Sequence, residues 1–144
     1  MSSIEPNKIK AIVRDFVDTI NEQNWDKLDQ LVAPNFVRYS KAGDQPEICN
    51  RDQLKAFLRS ELETFPDAKE SIEDMLAEGD KVAVRQRFQG TQKGWMGKYP
   101  PSGKKMIADY LAIYRIQDNQ IVEAWAVWDN LNGLKQLGHF NPPA

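Results

Sequence analysis

The stretch MIADYLAIYRIQDNQIVEAWAVWD, residues 106–129, constrains this chain more than any other. Apolar, β-branched and aromatic runs flank the polar dipeptide Asp118-Asn119. A two-residue loop containing Asn between such runs marks a β-hairpin. With Gln117 opposite Gln120 and no interruption afterwards, one face carries Tyr110, Ala112, Tyr114, Ile116, Ile121, Glu123, Trp125, Val127 and Asp129. The other carries Asp109, Leu111, Ile113, Arg115, Val122, Ala124, Ala126 and Trp128, because strand side chains alternate. Only a bulge would break that division. Both faces are largely apolar, so the hairpin needs cover on both sides, helices on one and a second subunit on the other.

Upstream the period changes. Ile9, Ile12, Val13, Phe16, Val17 and Ile20 follow the spacing of an amphipathic helix, with Ser3 and Pro6 as start signals. Asn24 can cap a second short helix through Trp25, Leu28, Leu31 and Val32, which Pro34 follows closely. FVRYS (36–40) reads as a short strand. A third helix runs from about Asp52 to Leu62 through Leu54, Phe57, Leu58 and either Glu61 or Leu62, capped by Asn50 and closed by Pro66. Residues 69–94 hold two β runs turning at EGDK (78–81). An irregular segment, 94–105, leads into the last hairpin, and LNGLKQLG forms at most a short terminal helix. Helices first and an antiparallel sheet afterwards give one α+β domain over residues 1–144, its helices gathered on one side of a curved sheet.

Composition excludes several classes. The formal charge of −2 offers no basic face for nucleic acid, and the small basic groups (Lys104-Lys105, Arg85 with Arg87) are interleaved with acids. Cys49 is the only cysteine, so neither an intramolecular disulfide nor a thiolate metal cluster can form. The start, MSSIEPNKIK, lacks the apolar core of a secretion signal, and no run reaches membrane-spanning length. The cytoplasm is the expected compartment.

Candidate site residues cluster in the second half. Tyr110, Tyr114, Trp125 and small Ala112 could line a cavity for a flat apolar ligand, or the rings could fill the space beneath the helices. Asp129 is the acid nearest that face, and it either points into the cavity or caps the terminal helix. Arg85 is either a ligand group inside the sheet or an exposed, ion-paired residue. Gln92 can hydrogen-bond a ligand, and Tyr39, Tyr110 and Tyr114 can donate to an oxyanion. Trp95, Met96 and Tyr99 sit in a Gly- and Pro-bounded loop suited to a lid over the pocket mouth or to an exposed oligomer contact.

The helix IVRDFVDTINEQNWDKLDQLVAPNFV, the segment VAVRQRFQGTQKGWMGKYPPSGKKM, the run YRIQDNQIVEAW…D and the terminal QLG, in this order, resemble the SnoaL-like polyketide cyclases and ester cyclases of the NTF2-like superfamily. The resemblance implies a strongly bent, mostly antiparallel sheet forming a cone, with helices over its concave face around an apolar pocket, and a homo-oligomer built through the sheet. It implies acid–base chemistry without metal or organic cofactor, in which a carboxylate moves a proton and histidine assists at the enol oxygen.

The reactive positions of that pattern are altered here. Ala112 or Ile113 stands where the family has a histidine before the Tyr-Arg-Ile-like run. Ala124-Trp125-Ala126 replaces His-x-Asp, Gln92 replaces the histidine of Gly-Thr-His-x-Gly, and Arg38-Tyr39 replaces Asp-His. The one histidine, His139, lies in the tail. The family mechanism therefore does not transfer. What remains is an enzyme acting on a small hydrophobic or carbonyl-bearing molecule through Asp129 and Tyr110, with Tyr39, Arg85, Gln92, Trp95, Tyr114 and Trp125 around the pocket. The alternatives are a non-catalytic binder and an oligomeric domain with a vestigial pocket. An Asp129 that caps the helix would remove the acid from the enzyme reading.

Overall fold

The structure, a computed structural model, describes residues 5–40 and 47–140. Helix α1 (Pro6–Glu22) begins with Pro6 in its first turn and ends at Gln23 in the left-handed conformation. Ser3 lies outside the described residues. The apolar stripe of α1 buries Ile9, Ile12, Val13, Phe16 and Val17, each contributing about 1.5–3 kcal/mol of burial. Helix α2 (Trp25–Leu31) is capped by Asn24, whose side chain accepts from Lys27 N at 3.2 Å. Helix α3 (Arg51–Thr64) is capped by Asn50, which accepts from Gln53 N at 2.8 Å.

The strands are β1 (Val32–Ser40), β2 (Lys69–Glu78), β3 (Lys81–Thr91), β4 (Lys105–Gln117) and β5 (Gln120–Val127), and helix α4 (Asn130–Leu137) follows. They form one curved, open sheet in the order β1-β5-β4-β3-β2. Only β1 pairs parallel, with β5; the other pairs are antiparallel. β1 starts earlier than FVRYS suggests, because an irregularity between Val32 and Val37 accommodates Pro34.

Asp118 and Asn119 close the β4–β5 turn with φ of 52° and 63°, the positive values a two-residue hairpin of this twist requires. Gln117 faces Gln120 and Ile116 faces Ile121, as the uninterrupted register demands. A bulge at Val122 then shifts the ladder, so Arg115 faces Glu123, Tyr114 faces Ala124 and Ala112 faces Ala126. The expected division of faces is therefore corrected beyond the bulge. Ala124 and Ala126 join Tyr110, Ala112 and Tyr114 on the buried concave side, and Trp125 moves to the outer side.

Helices α1 and α3 lie over the concave side, where α1 brings Phe16 edge-on to Tyr114 at 5.8 Å between ring centroids. Two side-chain amides supplement the ladder. Asn21 of α1 bonds both Glu70 O (2.8 Å) and Glu70 N (2.9 Å) on the edge strand β2. Gln136 of α4 does the same to Ile107 of β4, where β5 has already ended. On the outer side Leu76, Leu111 and Val127 are 70%, 62% and 67% exposed.

Candidate functional site

The concave side is apolar at its base and polar at one level. Along β3 the inward positions read Val82, Val84, Gln86 and Phe88, and Gln86 is fully buried. Cross-strand pairing puts Gln86 beside Tyr110 of β4 and Ile72 of β2, while Glu70 sits one inward position further along β2, opposite Phe88. A buried carboxamide must satisfy its donors and acceptor locally. Gln86 does so by linking two tyrosines. Tyr114 Oη donates to Gln86 Oε1 at 2.5 Å, Gln86 Nε2 donates to Tyr110 Oη at 2.8 Å, and Tyr110 Oη donates to Glu70 Oε2 at 2.9 Å.

Two more charged groups converge from the other side. Arg38 of β1 is buried, with its guanidinium 4.3 Å from the Phe57 ring centroid on α3. Glu61, one turn after Phe57, exerts an electrostatic pull on Arg38 that partly offsets the effect of burial. Register places Ala124 between Arg38 and Tyr114. Its small side chain leaves the concave space above it to the arginine and the tyrosine ring.

Protein packed around both carboxyls displaces their protonation, although by surface area each residue is only half-buried. Burial pushes Glu70 up to about 8, and the neighbouring Glu61 adds to the rise; hydrogen bonds from Tyr110 and Gln86 work against it. Burial also pushes Glu61 up to about 7, against the pull of Arg38. Tyr110 and Tyr114 are held neutral, chiefly by burial and next by the Glu70 charge. Glu70 also lines an open cleft of about 580 Å³ between α1 and β2, where Arg14, Asp18 and Asn21 form the opposite wall. At neutral pH the arrangement offers a carboxylic acid in contact with a tyrosine hydroxyl, which can donate or return a proton.

Several expected site residues lie elsewhere. Asp129 is exposed and accepts from Asn132 N at 3.0 Å as the N-cap of α4. Arg85 is on the outer side, paired with Asp109 at 3.4 Å; Arg87 shares the same carboxylate at 2.7 Å. Trp125 and Tyr39 stack on each other on that outer side, with centroids 5.8 Å apart. Trp95 is 64% exposed. Gln92 is fully buried but serves the loop: Nε2 donates to Gly94 O and Tyr99 O, and Oε1 lies 2.6 Å from His139 Nε2. Of the expected residues, Tyr110 and Tyr114 come together. Sequence reasoning passed over Glu61, Glu70, Gln86 and Arg38. The alternation V-x-V-x-Q-x-F held the signal for Gln86, a polar residue in phase with the core.

The glycines of Gly-Thr-Gln-Lys-Gly have a packing reason. A Cβ on Gly90 would stand 2.9 Å from Phe65 Cβ, and one on Gly94 would stand within contact of the Glu63 carbonyl. Lys93 N and Gly94 N both donate to Thr64 O, docking the segment onto the end of α3.

The profile of the SnoaL-like polyketide cyclases matches residues 10–137. The chain belongs to this family. Among solved structures, IdmH of Streptomyces antibioticus, a candidate polyketide cyclase, is 29% identical. The match covers 90% of this chain and 98% of IdmH at a TM-score of 0.76. A candidate SnoaL-like polyketide cyclase from Jannaschia sp. CCS1 is 22% identical over 99% of each chain at 0.84. An LEH-like epoxide hydrolase from M. tuberculosis is 15% identical, over 93% of this chain and 92% of its own, at 0.74. The latter two share the fold alone. No curated protein sequence matches the chain. This SnoaL-like protein thus has the bent NTF2-like sheet expected of it, with Glu70 on β2, Glu61 on α3 and Tyr110 and Tyr114 on β4 as titratable groups of its concave side. Among the described residues no helix is long and apolar enough to cross a membrane, and no group of His, Cys, Asp and Glu is arranged to hold a metal ion.

Proposed function

We propose that this SnoaL-like protein is a cofactor-independent enzyme of the cyclase or isomerase type, acting on a small carbonyl-bearing, largely apolar molecule. The observation that carries the reading is the contact of Tyr110 Oη with the Glu70 carboxyl inside the concave side of the sheet. Glu70 moves the proton, and a tyrosine hydroxyl stabilises charge on the carbonyl oxygen. Asp129 has no part in it, being engaged in the helix cap. The test uses 2-tetralone, a flat ketone with acidic α-hydrogens, in deuterated buffer. Catalysed α-deuteration that Glu70→Gln and Tyr110→Phe each reduce at least tenfold supports the enzyme. Binding without exchange supports the alternative, a non-catalytic binder, and neither binding nor exchange overturns both.

The outer side favours a homodimer through the sheet. Tyr39, Trp125, Ile113, Ala83 and Leu76 form one row across all five strands by register. An apolar row of that length invites a second sheet. Ile113→Glu should convert a dimer to monomer in sedimentation equilibrium, and a native protein that sediments as a monomer removes the idea.

A further inference from the structure

The chain Tyr114–Gln86–Tyr110–Glu70 has a direction. Each link fixes the next, because a carbonyl oxygen can only accept and an amide nitrogen can only donate. With the amide of Gln86 as it stands, every hydrogen points toward Glu70, and Tyr114 spends its own hydrogen on Gln86 Oε1. A ligand meeting Tyr114 then finds lone pairs. Turning the Gln86 carboxamide by half a revolution exchanges its oxygen and nitrogen without altering its shape. The chain then runs the other way: Glu70 donates to Tyr110, Tyr110 to the Gln86 carbonyl, and the Gln86 amide to Tyr114. The first of those bonds exists only if the carboxyl holds a proton.

We propose that the protonation of Glu70 sets the direction of this chain, so that Tyr114 offers a free hydrogen to a ligand only when Glu70 is protonated. The proton comes from solvent through the cleft between α1 and β2, and Gln86 passes on orientation while its own hydrogens stay on its nitrogen. The inference rests on reading this cluster as the acid–base centre, and it narrows the ligand class. An acceptor-only oxygen, a ketone or an enolate, is bound in the protonated state, and a hydroxyl donor is preferred in the ionised one.

The groups facing Glu70 are consistent with a switch in the neutral range. Glu61 comes from α3, Tyr110 and Tyr114 from β4, and Arg14 and Asp18 from α1 across the cleft, while Arg38 of β1 acts on Glu61 and the two tyrosines. On β3 the facing residue is Gln86, and Lys69 precedes Glu70 on its own strand. The carboxyl titrates at about 8, through burial and then Glu61. Gln86 is sealed from water, and its amide bonds Tyr110, Tyr114 and Glu70.

Carbon-13 NMR of the free protein tests the relay without any ligand. The Tyr114 Cζ resonance should move with the Glu70 Cδ resonance at one shared midpoint. Gln86→Leu, of similar size, should leave Glu70 titrating and shrink the movement of Tyr114 to the small part that the Glu70 charge causes through space. Glu70→Gln, which keeps a donor in place, should hold Tyr114 at its low-pH position throughout. A Tyr114 resonance that never moves in the native protein, or that follows Glu70 with undiminished amplitude in Gln86→Leu, overturns the relay. Binding of 2-tetralone is the second arm: above the midpoint it should weaken tenfold per pH unit, and in Glu70→Gln it should be independent of pH. A protein that binds no ketone at any pH while Tyr114 and Glu70 move together refutes the proposed function and leaves the relay standing.

Discussion

Replacing Glu70 with glutamine should change how stability depends on pH more than it changes stability itself. The unfolded chain releases this proton near 4.5 and the folded chain near 8. Between those values the folded state holds more protons than the unfolded one, so stability falls as pH rises and levels off above the folded value. Moving a carboxyl from 4.5 to about 8 corresponds, at about 1.4 kcal/mol per tenfold, to an upper bound of nearly 5 kcal/mol. Glu70 keeps contact with solvent at the cleft, and screening there reduces the effect to about 2 kcal/mol. That loss equals roughly 4–8 °C in melting temperature for a chain of this size. Glu61, held at about 7 by burial, contributes in the same direction over a narrower window. The assay is thermal and urea unfolding of the native protein, Glu70→Gln and Glu61→Gln from pH 5 to 9. The native curve should decline across this range, Glu70→Gln should remove most of the decline, and Glu61→Gln a smaller part. An identical decline in Glu70→Gln and the native protein would refute the argument, since it would mean the carboxyl titrates where an exposed one does.

Two further substitutions separate packing from chemistry. Asp129→Ala removes the cap of α4 and should cost about 1 kcal/mol in urea unfolding, with the deuteration rate of 2-tetralone unchanged; a folded variant that loses exchange would return Asp129 to the reaction. Gly94→Ala places a methyl group against the Glu63 carbonyl and should destabilise by about 1–3 kcal/mol, whereas an unchanged melting temperature would show that the loop docks on α3 in another way.

The local signals in the sequence were strong where chemistry is short-ranged. Asn24 and Asn50 cap their helices through side chains whose partners lie three residues on. Asp118-Asn119 closes its hairpin because few residues tolerate positive φ. The site was harder to read, for two reasons. A bulge at Val122 leaves no mark in the residues around it, yet it reverses the facing of Ala124, Trp125 and Ala126. A second irregularity, between Ile72 and Asp74, shifts the alternation in β2, so Glu70 shares the inner face with Met75 although they are an odd number of positions apart. Glu61 was ambiguous with Leu62 on a helical stripe, because a carboxylate on an apolar face is recognisable only when its partner, here Arg38 from a distant strand, is known. Long-range pairing made this site, and periodicity reports only short-range order.

The amides of Asn21 and Gln136 have a consequence for the life of the protein in a crowded solution. A strand edge with unpaired backbone groups is a template on which another chain can add a strand. β2 is one such edge, and its most consequential residue, Glu70, is the one whose backbone Asn21 occupies on both sides of the Cα. At the opposite edge, Arg38 of β1 exchanges backbone hydrogen bonds with Ile48. The sheet edges are therefore occupied at the two residues that carry charge into its interior, and loosening Asn21 would lengthen the open edge of the proton-bearing strand.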